Sequence, residues 1–417
     1  VANTSASHAV EASQDIVAGN GIKLVAKGAR IDPAMRERLL QHKLLKPIED
    51  CMQVTGGMTA ERIASIAAQL LEQHALLAAV CSSDAPLSVP ESLAQLQLSA
   101  PVQSLLTVYS QYQAGRVEHM IGVAMLSLAL ARKLLPGEIV RQRTLALAGL
   151  LHDIGELYLD PKHLRRDSVL EPIQWRHIVT HPLVGQRVLQ NMEGAGPAVA
   201  QAVLLHHERM DGFGYPHGIQ GDRLPLDGQI IGASEWLMAL IESGRTPLAR
   251  ASVATKLIPG EFRTELLEAI VAAARSSDKM QAEIAAPRPL EDALPRILFL
   301  IGISQRFMQT RGWIEARIGQ AKGECRRVLE TGLQRMLRIQ TAFNSTGLNV
   351  ADPQPLLHEL AALHDPQVHL EVVTIVRELE WRVQEVAREC LLRGALMSPA
   401  ENSVMCELVA RVKGQAG

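Results

Sequence analysis

Two strings near the middle of the chain hold side chains that can do chemistry. TLALAGLLHDIGE (144–156) ends an apolar run on His152 and Asp153, and VLLHHERMDGFGYPHGIQGDRLP (203–225) ends another on His206 and His207 before a Gly-rich turn. Burying an imidazole or a carboxylate without a partner costs several kcal/mol, so a helix this apolar requires hydrogen bonds or a metal for His152 and Asp153. Adjacent helical residues point about 100° apart, which lets the two serve neighbouring positions, and the two oxygens of a carboxylate can bridge two ions. A neutral imidazole needs one donor and one acceptor partner, a demand that adjacent histidines at a helix end meet poorly in an apolar core. In the loop 210–216, Gly212 and Gly214 permit positive φ while Tyr215 and Pro216 limit flexibility, so the loop is suited to walling one side of a ligand pocket. Taken singly, each string has an ordinary alternative: a hydrogen-bonded core histidine for the first, a surface turn for the second.

Helices must position these residues. Of the 417 residues, 47% are hydrophobic and 21% charged, close to ordinary globular proteins, while only 3% are aromatic. Ala, Leu, Arg, Glu and Gln are abundant, which favours helix over sheet and predicts a mainly α protein. The 14 histidines outnumber the aromatic residues, and helix propensity gives no reason for them. The length exceeds one ordinary compact domain. We read 1–104 as an N-terminal regulatory or accessory region with some β structure, 105–255 as the region that carries the chemistry, and 256–417 as a C-terminal helical region broken at GLNVADPQP (347–355). Within the first, GIKLVAKGARI (21–31) reads as a short hairpin. A helix is expected from Asp32-Pro33, and further helices at 59–73 and 91–112, with SSDAPLSVP (82–90) as linker. The net charge of −2 lacks the usual electrostatic footprint of a nucleic-acid binder. Apolar runs fall short of the ~18–20 residues of a membrane span, and the five scattered cysteines form no CxxC pair. The expectation is therefore a cytoplasmic protein with reduced thiols, no membrane span and no nucleic-acid partner.

HDIGE at 152–156, His181 in THPLVGQRVL and HHERMDGFGYP at 206–216 resemble the signature of the HD-GYP family, a branch of the HD phosphohydrolase superfamily. The resemblance covers roughly residues 105–250 and implies a central helical bundle of the HD type with a metal site. It further implies hydrolysis of cyclic di-GMP to pGpG, GMP or both, through a hydroxide bridged between two divalent ions. Carried over residue by residue, it makes His119, His152, Asp153 and Glu235 ligands of one ion. Asp153, His181, His206 and His207 would hold the second, with Asp153 and His152 taking part in catalysis. Arg209, Asp211, Gly214, Tyr215, Pro216 and Arg245 would contact substrate. Mixed nitrogen and oxygen donors suit iron or manganese first, with zinc, nickel or magnesium as alternatives.

Several positions depart from the family pattern. The HD string usually continues to a lysine, here Glu156, and an anion beside a dianionic substrate is expected to weaken phosphate binding. Glu235 stands for an aspartate. Gly115 stands where three-metal members carry a further glutamate, and Glu118 is expected to point elsewhere, so two ions are expected. The arginine-proline-tyrosine stretch after the last ligand is eroded to Arg245-Thr246-Pro247. These changes keep two alternatives open: a catalytically degenerate HD-GYP protein serving as a metal- or dinucleotide-binding sensor or scaffold, and a hydrolase of another phosphoester or nucleotide. The terminal helical regions offer faces for a homodimer or a signalling-protein partner. His163 and His177 read as surface or neighbouring residues, and His358, His364 and His369 as ordinary helix or loop residues.

Overall fold

The computed structural model describes residues 10–112, 115–160, 162, 171–257, 260–285 and 290–414. His163 lies outside them. The chain is mainly α, and among the described residues its strands lie in the N-terminal region. Two compact units are present. The first comprises Val1–Leu164, Thr180–His207 and Leu226–Ala239, and the second comprises Arg165–Val179, Glu208–Pro225 and Leu240–Gly417.

In the first unit, Val10–Ala12 pairs antiparallel with Met52–Val54 in the register Val10↔Val54, and Ile16–Val17 pairs with Lys23–Val25. The expected hairpin thus forms from part of 21–31 and a strand ahead of it. Val10, Ala12, Ile16, Val25 and Ile31 point into a small core. Helix Pro33–Leu40 starts behind Asp32, whose carboxylate accepts a hydrogen bond from Met35 N at 2.7 Å. Helix Ala60–Gln73 is capped in the same way by Thr59. The expected single helix at 91–112 is instead two, Val89–Ala94 and Ala100–Ser110. Ser99 caps the second of these in an extended conformation, with Pro101 in its first turn, so a new helix starts there. A further helix, Ala75–Cys81, precedes the linker; its apolar residues carry too few turns to show a period.

The tightest part of this unit carries the chemistry. Helices Arg116–Leu134 and Ile139–Leu151 pack along their length, and Gly149 lets them approach so closely that a Cβ there would lie 2.6 Å from the Cα of Ala124. After Leu151 the chain tightens into a 3₁₀ turn, Ile154–Tyr158, which packs on helix His181–Leu189; that helix packs in turn on Gly196–Leu205. Gly155 is the contact point. A Cβ on it would meet the carbonyl oxygen of His181 at 2.0 Å and the backbone nitrogen of Gly185 at 2.9 Å.

In the second unit, helices Leu294–Gln320, Gly323–Ser345, Pro366–Gly394 and Pro399–Lys413 pack on one another. A two-residue connection makes the first pair antiparallel neighbours. Ile297, Leu300, Phe307 and Ile314 recur at helical spacing on the buried face of the first of these helices. The break expected at 347–355 lies between the helix ending at Ser345 and the one starting at Gln354. Among the described residues no single helix is long and apolar enough to cross a membrane. Cys51, Cys81, Cys325, Cys390 and Cys406 are all free thiols.

Because the atoms facing Gly155 are backbone, they cannot move aside as a side chain can. Gly155→Ala is expected to destabilise the protein by about 3 kcal/mol through overpacking, measured by chemical denaturation. An unchanged midpoint would contradict the close approach.

Candidate metal centre

Four chain segments of the first unit bring their polar side chains to one buried place. His119 sits one turn into helix Arg116–Leu134, and His152 and Asp153 close helix Ile139–Leu151. His181 opens its helix, with Pro182 behind it, and His206 and His207 follow the last turn of helix Gly196–Leu205. Glu235 joins them from helix Leu226–Glu242. All seven ligand positions expected from the sequence are therefore together. His152 and His206 are fully buried, and Asp153 is 5% exposed.

Asp153 divides the cluster. Its Oδ2 lies 3.2 Å from His152 Nε2 and 3.8 Å from His119 Nε2. Its Oδ1 lies 3.3 Å from His181 Nε2 and 3.6 Å from His206 Nε2. Glu235 Oε2 reaches His119 Nε2 at 3.0 Å and His152 Nε2 at 3.2 Å, so it completes the first side. On the second side the ring of His207 lies 4.1 Å from that of His206 and 5.1 Å from that of His181, measured between centroids. The donor atoms of Asp153, His181, His206 and His207 fall within 4.8 Å of one another, as do those of His119, His152 and Asp153.

The hydrogen bonds behind the rings decide what the inward nitrogens can do. His152 Nδ1 donates to the carbonyl of Gly149 at 2.8 Å, and His206 Nδ1 donates to that of Val203 at 2.6 Å. Each bond reaches back one helical turn and leaves Nε2 directed at the cluster, the arrangement in which metal-binding histidines are held by a carbonyl behind the ring. His152 Nε2 is buried with no well-formed hydrogen bond. His181 Nε2 and His206 Nε2 face each other at 3.0 Å. Two ligands each about 2.1 Å from one ion, at right angles, stand about that far apart. The residues present therefore fit divalent metal on both sides of Asp153.

The electrostatics agree. Burial alone would raise the Asp153 carboxyl, but the facing imidazoles, His152 foremost, hold it well below the usual carboxylate range. Glu235 is held down in the same way by His119 and His152 against its own desolvation. Burial keeps His206 neutral, with its pKa pushed down to about 4. His152 behaves oppositely: burial opposes its charged form, yet Asp153 and Glu235 outweigh burial and raise it well above the ordinary value. With no ion bound, a proton on His152 offsets part of the charge of the two carboxylates, and an ion has to displace it.

Two neighbours, Arg116 and Tyr109, escaped the sequence reading, and both meet Glu156. Arg116 Nη1 lies 3.4 Å from Asp153 Oδ2, and its Nη2 lies 3.2 Å from Glu156 Oε1. Tyr109 donates its hydroxyl hydrogen to Glu156 Oε2 at 2.8 Å. Glu156 is 5% exposed, and burial followed by the charge of Asp153 raises its pKa to about 7. The signal for Arg116 was its place three residues before His119, on the same helix face. Glu118 is exposed and Gly115 precedes the helix, so neither adds a ligand.

The expected substrate-contacting residues belong to the second unit, where the loop after His207 is built into helices. Glu208 is fully buried and accepts from His217 N at 2.6 Å and Ile219 N at 2.9 Å. Asp211 accepts from Phe213 N at 2.9 Å and meets Arg335 Nε at 3.6 Å. Arg209 lies over the ring of Phe262 and donates to the Glu208 carbonyl. Arg335 and Arg393 both stack against Phe213, and Arg393 Nη2 donates to the carbonyls of Phe213 at 2.7 Å and Gly214 at 3.3 Å. Glu261 ties Arg335 and Arg382 together, and its carbonyl accepts from Met210 N. Gly212 has φ of +77°, whereas Gly214 does not take positive φ. Gly214 is buried, Tyr215 and Pro216 are half-buried, and Arg245 is exposed in the turn after helix Leu226–Glu242. His177 is exposed, as are His358 and His364, while His369 is half-buried; all four belong to the second unit.

A model of the HD domain matches residues 97–259, the stretch that contains all seven candidate ligand residues. This region is therefore similar to HD domains. The 3′3′-cGAMP-specific phosphodiesterase 3 of Vibrio cholerae is 26% identical over 233 residues, covering 53% of this chain and 50% of its own length. The cyclic di-GMP phosphodiesterase PA4108 of Pseudomonas aeruginosa is 38% identical over 109 residues, covering 26% of each chain. The chain thus spans half or less of the length of these curated relatives. A solved HDG"Y"P protein from Bdellovibrio bacteriovorus, Bd1817, matches with 15% identity and a TM-score of 0.36 over 64% of this chain and 95% of its own.

Two measurements check this geometry. Metal uptake by the metal-free protein at pH 7 is expected to release about one proton, seen as a dependence of calorimetric heat on the buffer's ionisation enthalpy, and affinity is expected to fall as pH is lowered. Uptake with no proton release would contradict the charge state of His152. Arg393→Ala leaves the carbonyls of a buried loop without their donor. It is expected to cost about 2 kcal/mol in a denaturant melt and to speed proteolysis within 208–217. A surface-like change near zero would contradict the clamp.

Proposed function

We propose that the Asp153 cluster is the active site of a metal-dependent phosphodiesterase acting on a cyclic dinucleotide, with cyclic di-GMP as the first candidate and pGpG, GMP or both as products. The observation that carries the reading is the division of Asp153, one oxygen toward His119 and His152 and the other toward His181 and His206. A pair of ions in such a site supplies Lewis-acid polarisation of the phosphate and a water acidic enough to attack at neutral pH. The chain's own part is to hold the donors still. His152 and His206 are locked by their carbonyl bonds, and burial excludes bulk water from the centre. Iron or manganese suits the donor set best. The catalytic region is 105–255, flanked by 1–104 and 256–417. Relatives named for cyclic di-GMP and for 3′3′-cGAMP support a cyclic dinucleotide and make the second the alternative substrate.

A second reading, a member that binds metal or dinucleotide without turnover, is favoured by Glu156 in place of the family lysine.

The test is to incubate the metal-loaded protein with cyclic di-GMP and with 3′3′-cGAMP and to follow products by chromatography. Asp153→Ala is expected to lower turnover by at least about 100-fold and to lose both ions, since it removes the ligand common to the two sides. His119→Ala is expected to lose one ion. Two bound ions with no turnover of either dinucleotide would leave the second reading, and turnover that survives Asp153→Ala would contradict the site.

A further inference from the structure

We propose that Arg116 binds a substrate phosphate at the Asp153 centre and that Glu156 and Tyr109 are positioning residues that hold it there. The proposal rests on the phosphodiesterase reading above and names the cation which that reading lacks. From the sequence, Glu156 is an anion where the family carries a phosphate-contacting lysine. In the structure that anion is turned onto Arg116: Glu156 Oε1 lies 3.2 Å from Arg116 Nη2, while Glu156 Oε2 accepts the Tyr109 hydroxyl at 2.8 Å. The chain Tyr109–Glu156–Arg116 runs outward from the core, since Tyr109 is 1% and Glu156 5% exposed whereas the Arg116 side chain keeps 18% exposure.

Its end is at the reaction centre. Arg116 Nη1 lies 3.4 Å from Asp153 Oδ2, the oxygen that faces His119 and His152. A guanidinium there stands beside the donors that would hold an ion and also reaches solvent, where a phosphate would enter. Its planar fork matches phosphate oxygens better than an ammonium does. A buried carboxylate that served only the fold would be replaced at little cost by an apolar residue, whereas a positioning role explains why it is paired on both oxygens. The positive charge lost at 156 thus returns from the neighbouring helix, and the buried glutamate sets its direction.

The test uses the full chain loaded with metal, titrated calorimetrically with inorganic phosphate and with cyclic di-GMP, with metal content measured for every variant. Arg116→Ala is expected to keep the metal and weaken both probes by about 10-fold or more. Arg116→Gln is read in its place if circular dichroism shows that the alanine variant does not fold. Glu156→Gln is expected to raise KM by about 3-fold with kcat changed less, the mark of lost positioning in binding. Adding Glu156→Lys to Arg116→Ala is expected to restore most of the binding. Unchanged affinity for both probes in the Arg116 variants overturns the proposal. Phosphate binding that depends on Arg116, with no uptake of cyclic di-GMP, keeps this assignment and removes that substrate. If the metal-loaded chain takes up neither probe, both fall.

Discussion

One buried carboxylate sets the terms for the first unit. Asp153 sits almost out of solvent, where an unpaired charge is costly, and it is kept ionised by imidazoles facing each of its oxygens. Those imidazoles come from four places in the chain, so their segments have to converge on a single residue, each with a ring nitrogen 3.2–3.8 Å from its carboxylate. The convergence explains why the packing there tolerates so little. Gly149 brings two helices together at a distance no side chain could share, and Gly155 lets the turn after Asp153 rest on the backbone that carries His181. Metal-binding chemistry and close packing are the same requirement seen at two scales.

The second unit treats the signature loop as part of its own core. Phe213 lies between two arginines, and the loop's carbonyls and carboxylates are taken up by Arg335, Arg393 and residues around Glu261. Long helices late in the chain thereby fix the geometry of a loop more than a hundred residues earlier. The polar residues Glu208 and Asp211 serve backbone amides of the loop itself, which gives them a structural task whatever substrate is bound.

The sequence made the ligand set legible because the donors lie in short strings with distinctive order, and all seven expected positions meet in space. The α class followed from composition, and the caps at Asp32 and Thr59 stand where local chemistry put them. What could not be read depends on contacts between distant segments. The partners of Glu156 are of this kind, because nothing local shows that it would be met by Arg116 and Tyr109. The split of 91–112 into two helices was written in Ser99 and Pro101, a helix-start signal inside the expected span. The loop's arginine clamp had no local signal at all.

The central claim is that one carboxylate serves two metal positions. An anomalous-difference map from crystals of the metal-loaded protein tests it most directly. The account predicts two peaks about 3.5–4 Å apart, one on the His119, His152 and Glu235 side of Asp153 and one on the His181, His206 and His207 side. A single peak, or two peaks that do not share Asp153, would contradict it.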